Sequence, residues 1–247
     1  MGKTYAKYNW FSTGFPVVYE KDTTESLVPM FPIVFCDDFL GADVVIPATG
    51  SVESGCKWSK KIVGAAPPTL AKTADGVNGM VLASLTATSQ KQDAALHMND
   101  ELMFSIAQGA IFEARLALTT LPTLLAVASF GLWGAWADGG SAYRVGFEVP
   151  AGGIVTCESD DNSTDTAAAS STTLVAGTYY IFRIDCTTQT DIKFYINGVR
   201  VCSTTTYANA ASTANSKMQP HLGLYKASGE GLGVMSIDYV KVFQGRS

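Results

Sequence analysis

The stretch DIKFYINGVRVCSTTTY, Asp191 to Tyr207, decides the fold. Asn197-Gly198 is the pair that a type I′ turn prefers, because both central residues of that turn need positive φ. With those two residues as the loop, Ile196 faces Val199, Phe194 faces Val201 and Ile192 faces Ser203. The other face pairs Tyr195 with Arg200 and Lys193 with Cys202. One face is then almost wholly apolar and the other polar or amphipathic, an agreement that a slip of one residue would destroy. Turn chemistry and side-chain period predict the same hairpin, with one face on a core and the other toward water or a partner.

Working outward, TYYIFRIDC (178–186) alternates Tyr180, Phe182 and Ile184 against Tyr179, Ile181, Arg183 and Asp185. A four-residue loop, Thr187–Thr190, sets Cys186 opposite Asp191, too far from Cys202 to bridge. Tyr179 to Thr205 therefore reads as a three-strand meander. Earlier, AIFEARLAL (110–118) puts Phe112, Ala114, Leu116 and Leu118 on one face, with Glu113 and Arg115 on the other. GMVLASLTAT (79–88) alternates Met80, Leu82 and Ser84 against Val81, Ala83 and Leu85. AYRVGFEV and GGIVTCES follow the strand pattern, and GVMSIDYVKVF (233–243) sets Met235, Ile237, Tyr239 and Phe243 on one side. QKQDAALHM (90–98) fits a helical turn or a strand. Many short strands with regular turns mean an all-β sandwich or barrel.

Two stretches read as long surface loops: SDDNSTDTAAASSTT (159–173), acidic and rich in small residues, and TTTYANAASTANSK (204–217). The first thirty residues form an arm, distinct from a body spanning 31–247. The arm has Tyr5, Tyr8, Trp10, Phe11, Phe15 and Tyr19 with no clear period. Solvated disordered tails are poor in aromatics, so the arm is expected to dock, either on its own body or on a partner chain.

The 247 residues carry a net charge of −5 and no basic run, which argues against nucleic acid. Charged residues are 16% of the chain, against the usual quarter. That fits either a Thr/Ser/Ala-rich β-protein with an uncharged polar surface or a subunit packed against neighbours. The first ten residues show no signal peptide. The longest apolar run, LLAVASFGLWGAW (124–136), is too short to span a bilayer and reads as one or two buried strands. The expectation is synthesis in a cytoplasm and no membrane partner. The five cysteines, at 36, 56, 157, 186 and 202, are odd in number and lack C-x-x-C, which argues for reduced thiols.

FEARLAL, then TYYIFRIDC…DIKFYINGVRV, then PHLGLYKASGEGLGVMSIDYVKVFQGR resemble the concanavalin A-like, laminin-G-type jelly roll. The opening CDDFLG and the arginine after the final strand are similar to jelly-roll proteins of tailed-phage virions, several of which are capsid decoration (cement) proteins. The resemblance implies two antiparallel sheets packed face to face. It further implies a structural virion subunit on the capsid exterior. Its partners would be the major capsid protein and further copies of itself, by analogy as a homotrimer.

Chemistry is sparse. Glycosidases need two carboxylates spaced across the bond, and hydrolases of this fold place them as Glu-x-Asp-x-(x)-Glu on one strand, a string that the body (31–247) lacks; its one match, EKDTTE (20–25), falls in the arm. Glu113 reads as a surface glutamate paired with a neighbouring cation, and Glu148 is followed closely by Pro150. His97 and His221 read as structural histidines. Glu158, Asp160, Asp161 and Asp165 group hard oxygen ligands, but the spacing lacks the glycine of an EF-hand loop, so a solvated acidic loop is expected and no metal or cofactor. The expectation is a non-enzymatic protein. Its partner-binding residues would be the arm aromatics Tyr5, Tyr8, Trp10, Phe11, Phe15 and Tyr19. The alternative is a carbohydrate-binding module of a tail fibre or baseplate, with Trp133 and Trp136 as glycan contacts.

Overall fold

The computed structural model describes residues 7–10, 16–19, 26–29, 33–40, 58–74, 76–208 and 216–245. Three short strands in the arm, β1 (Lys7–Trp10), β2 (Pro16–Tyr19) and β3 (Ser26–Pro29), pair antiparallel in that order. Tyr8 and Trp10 lie on β1 and Tyr19 on β2, whereas Tyr5, Phe11 and Phe15 lie outside the described residues. The arm therefore has strand pairing where the sequence showed no period.

The body is two antiparallel sheets. The first contains β4 (Ile33–Asp37), β6 (Thr69–Lys72), β7 (Val81–Ser84), β10 (Ile111–Thr120), β15 (Tyr179–Asp185), β16 (Lys193–Ile196), β17 (Val199–Val201) and β19 (Val234–Gln244). Its order is β17-β16-β15-β10-β19-β7-β6, with β4 also on β19. The second contains β5 (Ser59–Val63), β8 (Gln92–His97), β9 (Phe104–Ser105), β11 (Val127–Trp133), β12 (Arg144–Val149), β13 (Ile154–Asp160), β14 (Asp165–Thr173) and β18 (Lys217–Lys226). Its order is β14-β13-β12-β11-β18-β8-β5, with β9 on β18. The core between the sheets takes alternate residues from each: Phe112, Ala114, Leu116 and Leu118 from β10, and Ala128, Phe130 and Leu132 from β11. Phe130, Phe147 and Phe182 meet edge to face or tilted across the two sheets. This is the expected jelly-roll sandwich.

The hairpin has its predicted register over three pairs, Ile196 with Val199, Tyr195 with Arg200 and Phe194 with Val201. Asn197 and Gly198 both take positive φ. The pairing stops there. Cys202 also turns left-handed, and Ile192 bridges Tyr207 instead of Ser203. The preceding loop is one residue longer than expected, because Asp191 closes a turn onto Thr188. Phe182 then faces Ile196, and Asp185 faces Lys193. This register puts the apolar faces of both strands together, which the four-residue loop would not have done.

Three further expectations change, and one left open, QKQDAALHM, is decided. The acidic run is not a loop: β13 and β14 pair across it, leaving only 161–164 as the tip. Small residues suit the edge strand, where little side chain is needed to pack. QKQDAALHM holds a strand, β8, entirely buried. Glu113 is not on the surface: it is 0% exposed, accepting from the Tyr239 hydroxyl at 3.1 Å, with Lys241 Nζ at 3.9 Å. On β19, Ile237 and Val240 both reach the core while Tyr239 does not, because a β-bulge inserts Asp238 opposite Arg115/Leu116 and flips the strand's faces.

Candidate functional site

Part of the side of the second sheet that faces away from the core is also covered. Its covering is the connection 134–143 between β11 and β12, which folds back over the sheet. Gln219 anchors it: the Gln219 amide donates to the Gly134 carbonyl at 3.0 Å and to Asp100 at 2.8 Å. Its oxygen accepts from the Met98 and Asp100 backbone N–H groups. Asp100 in turn accepts from the Trp136 backbone N–H at 2.6 Å. Further along, Asp138 pairs with Lys91, and Arg144 donates to the Ser141 carbonyl at 2.8 Å. Lys61 Nζ lies 4.6 Å from the centre of the Trp136 ring.

Between this connection and the sheet lies a cavity of about 220 Å³. Trp133, Trp136 and Tyr225 supply its aromatic walls. Asp93, Glu148, Ser129, Ser141 and His221 supply polar groups. The sequence named Trp133 and Trp136 as glycan contacts, and the structure brings both to this one cavity. Trp133 is on β11 and 5% exposed, whereas Trp136 is in the connection and partly exposed.

The cavity exists because the sheet beneath it is bare. On three adjacent strands the sequences SFGLW (β11), RVGFE (β12) and HLGLY (β18) share one form. In each, two core residues flank an outward glycine, and the outward ends carry the site side chains. Gly131 pairs with both Gly146 and His221, and Gly223 pairs with Ser129. A Cβ on Gly146 would stand 2.8 Å from Trp133 Nε1, and one on Gly223 would stand 2.9 Å from His221 Nε2. The glycines thus let the indole and the imidazole lie flat, stacked at 3.8 Å and 10°. Trp133 Nε1 has no hydrogen-bond partner among the described residues.

Sequence reasoning missed Asp93 and Tyr225, and it set Glu148 and His221 aside, the first as a non-catalytic glutamate and the second as a structural histidine. Burial, reinforced by the nearby Asp138 carboxylate, pushes the Asp93 carboxyl up to about 7. Burial and then the Glu158 carboxylate push Glu148 up to about 7, against the opposing pull of Arg144. Burial holds His221 well below its ordinary value, so it is neutral, and His97 is also lowered by burial. Of the acidic residues considered as metal ligands, Glu158 and Asp160 pair with Arg144, and Asp161 accepts from the Ser163 and Thr164 N–H groups at the hairpin tip. Among the described residues no group of three acidic, histidine or cysteine side chains is placed to hold a metal, and no helix is long and apolar enough to cross a membrane.

Solved structures share this architecture. SO2946 of Shewanella oneidensis MR-1, a protein of unknown function, superposes with a TM-score of 0.57 at 12% identity, over 85% of each chain. A β-1,3-glucanase from Mycobacterium marinum gives 0.54 at 17%, over 85% of this chain and 97% of that one. A botulinum neurotoxin type C structure, whose cell entry depends on interaction with two ganglioside molecules, gives 0.50 at 8%, over 76% of this chain and 44% of that one. At these identities the likeness is one of fold. No curated protein matches the chain in sequence. The model of the SO2946-like C-terminal domain matches residues 76–238, well over half of the 247, and the protein belongs to the SO2946-like family.

Proposed function

We propose that the protein binds carbohydrate in the cavity under the 134–143 connection. The observation that carries this is the joining of Trp133, Trp136 and Tyr225 with Asp93, Glu148, Ser129 and Ser141 around one cavity on a glycine-cleared sheet. Flat aromatic faces meet the apolar face of a sugar ring, and convergent polar groups meet its hydroxyls. At about 220 Å³, below the ~300 Å³ of a drug-sized pocket, the cavity suits one sugar unit rather than a long chain segment. Fold neighbours that include a β-1,3-glucanase and a ganglioside-dependent toxin support the same reading.

The proposal is binding without cleavage. Asp93 on β8 and Glu148 on β12 are three strand spacings apart, about 14 Å at the backbone, and no strand of the body carries the Glu-x-Asp-x-(x)-Glu string. Glycan binding by calorimetry tests the function. Trp136→Ala should abolish binding while leaving the fold intact, because Trp136 lies in a connection and outside the main core. Unchanged binding in that variant would sink the reading, and release of shorter sugars from a bound glycan would replace binding with catalysis.

The capsid-decoration expectation puts its contacts in the arm, none of whose residues is among those lining the cavity. Neither the family nor the fold neighbours bear on a place in a virion. Quantitative mass spectrometry of purified particles would decide it: a simple ratio to the major capsid protein fits a shell subunit, and absence from particles removes that role.

A further inference from the structure

We propose that the cavity selects by charge: it takes a sugar bearing an ammonium group ahead of the uncharged counterpart, and it rejects sugar acids. This inference rests on the carbohydrate reading. Two carboxyls, Asp93 and Glu148, line the cavity from opposite sides, and no lysine or arginine is among its lining residues. Among the described residues the cations around the cavity already have partners. Lys91 pairs with Asp138, Arg144 pairs with Glu158 and Asp160, and Lys61 sits over the Trp136 ring. His221, 6% exposed, is kept neutral by burial.

A carboxylate entering this space would leave water and find no lysine or arginine among the lining residues to pair with, which is costly. An ammonium would meet one or two carboxylates, and the faces of Trp133, Trp136 and Tyr225 attract cations as well. The carboxyls are also in the state that such a ligand would exploit. Asp93 faces Asp138, Lys91, Lys61 and Trp136, and Glu148 faces Glu158, Arg144 and Asp165. Together with burial, these surroundings leave both groups about half protonated near neutral pH. A bound ammonium favours the ionised forms, so binding expels protons from Asp93 and Glu148. Affinity for the ammonium sugar therefore rises with pH for as long as the sugar's own amine keeps its proton, and affinity for an uncharged sugar does not.

The test is calorimetric titration of the full chain with glucosamine, N-acetylglucosamine and galacturonate oligomers at pH 4.5 and 6, a window in which the amino sugar keeps its ammonium charge. The expected result is tightening of the glucosamine oligomer between the two pH values, roughly tenfold for each pKa unit by which the ligand lowers a carboxyl. The N-acetyl oligomer should stay flat and the galacturonate oligomer should be weakest at both values. The double variant Asp93→Asn, Glu148→Gln should lose the preference for the ammonium sugar over its N-acetyl counterpart, whatever it does to the affinity for either one. If galacturonate binds best, or if glucosamine and N-acetyl oligomers bind alike at both pH values, charge selection falls and the carbohydrate reading stands. If none of the three binds, both fall.

Discussion

Replacing Asp93 by asparagine keeps the shape of the side chain and removes its charge, so it isolates what ionisation in the covered sheet face costs. Asp93 is 5% exposed, and burial lifts its carboxyl from 3.8 to about 7. The folded value lies above the unfolded one. Between pH ~4 and ~7 the folded protein therefore holds a proton that the unfolded chain has released, and stability falls as pH rises through that window. At about 1.4 kcal/mol per pH unit the whole displacement is worth about 4 kcal/mol, of which about 3 falls between pH 5 and pH 8. Asp93→Asn is free of this loss. Urea denaturation of both proteins at unit steps from pH 4 to pH 8 gives the stability difference directly, and subtraction cancels the other titrating groups. The difference should grow in favour of the variant by about 3 kcal/mol from pH 5 to 8. A difference constant to within about 0.5 kcal/mol, the usual limit of additivity, would refute the burial of an uncharged carboxyl at this position.

Gly146→Ala places a methyl group against the Trp133 indole and the Phe130 carbonyl. Destabilisation of about 1–3 kcal/mol is expected, with loss of glycan affinity as the Trp133–His221 stack lifts; an unaltered protein in both assays would disprove the need for a bare strip. Lys226 is fully buried and donates from Nζ to the carbonyls of Thr86, Thr88 and Gly231 at 2.7–3.0 Å. Lys226→Met retains the stem but strands those three acceptors, so a loss of about 3 kcal/mol or more is expected in denaturant melts, and under 1 kcal/mol would contradict it. Native alkylation followed by peptide mass spectrometry should label exposed Cys36 and spare Cys157 and Cys186, whose thiols burial pushes up. Fast labelling of Cys186 would mean that the sandwich opens at that edge.

The sandwich was legible because its signals are local. Asn197-Gly198 fixes a turn, and alternation on β10 and β15 fixes which face is buried without reference to any other strand. Where the reading slipped, a distant residue made the decision. The face switch on β19 comes from the bulge at Asp238, and Asp238 pairs with Arg115, more than a hundred positions away. Glu113 was misplaced for a related reason. Alternation put it correctly on the face away from the core, but that face is itself covered, and Tyr239 and Lys241 arrive from β19 to meet its carboxylate. Period distinguishes the two faces of a strand; it does not say whether the outer one meets water.

The same limit explains the half-read site. Trp133 and Trp136 stand out as large aromatics, and their meeting at one cavity needs only a short connection. The rest of the constellation is written in three pentapeptides of shared form, SFGLW, RVGFE and HLGLY, spread over almost a hundred residues. Each alone is an ordinary strand with a glycine, which normally weakens a strand and marks a close approach to its backbone. Only the order β12-β11-β18 turns three such glycines into one bare strip with ring systems resting on it. Asp93 carries less signal still, since its strand sits outside that strip and its environment is built by Trp136 and Asp138 from the far side of the connection. A repeated pattern of core–glycine–core with polar or aromatic ends, on strands that a jelly-roll topology would set side by side, is therefore the feature to search for when the body of an all-β sequence shows no catalytic string. It marks a sheet face cleared for something flat to lie on.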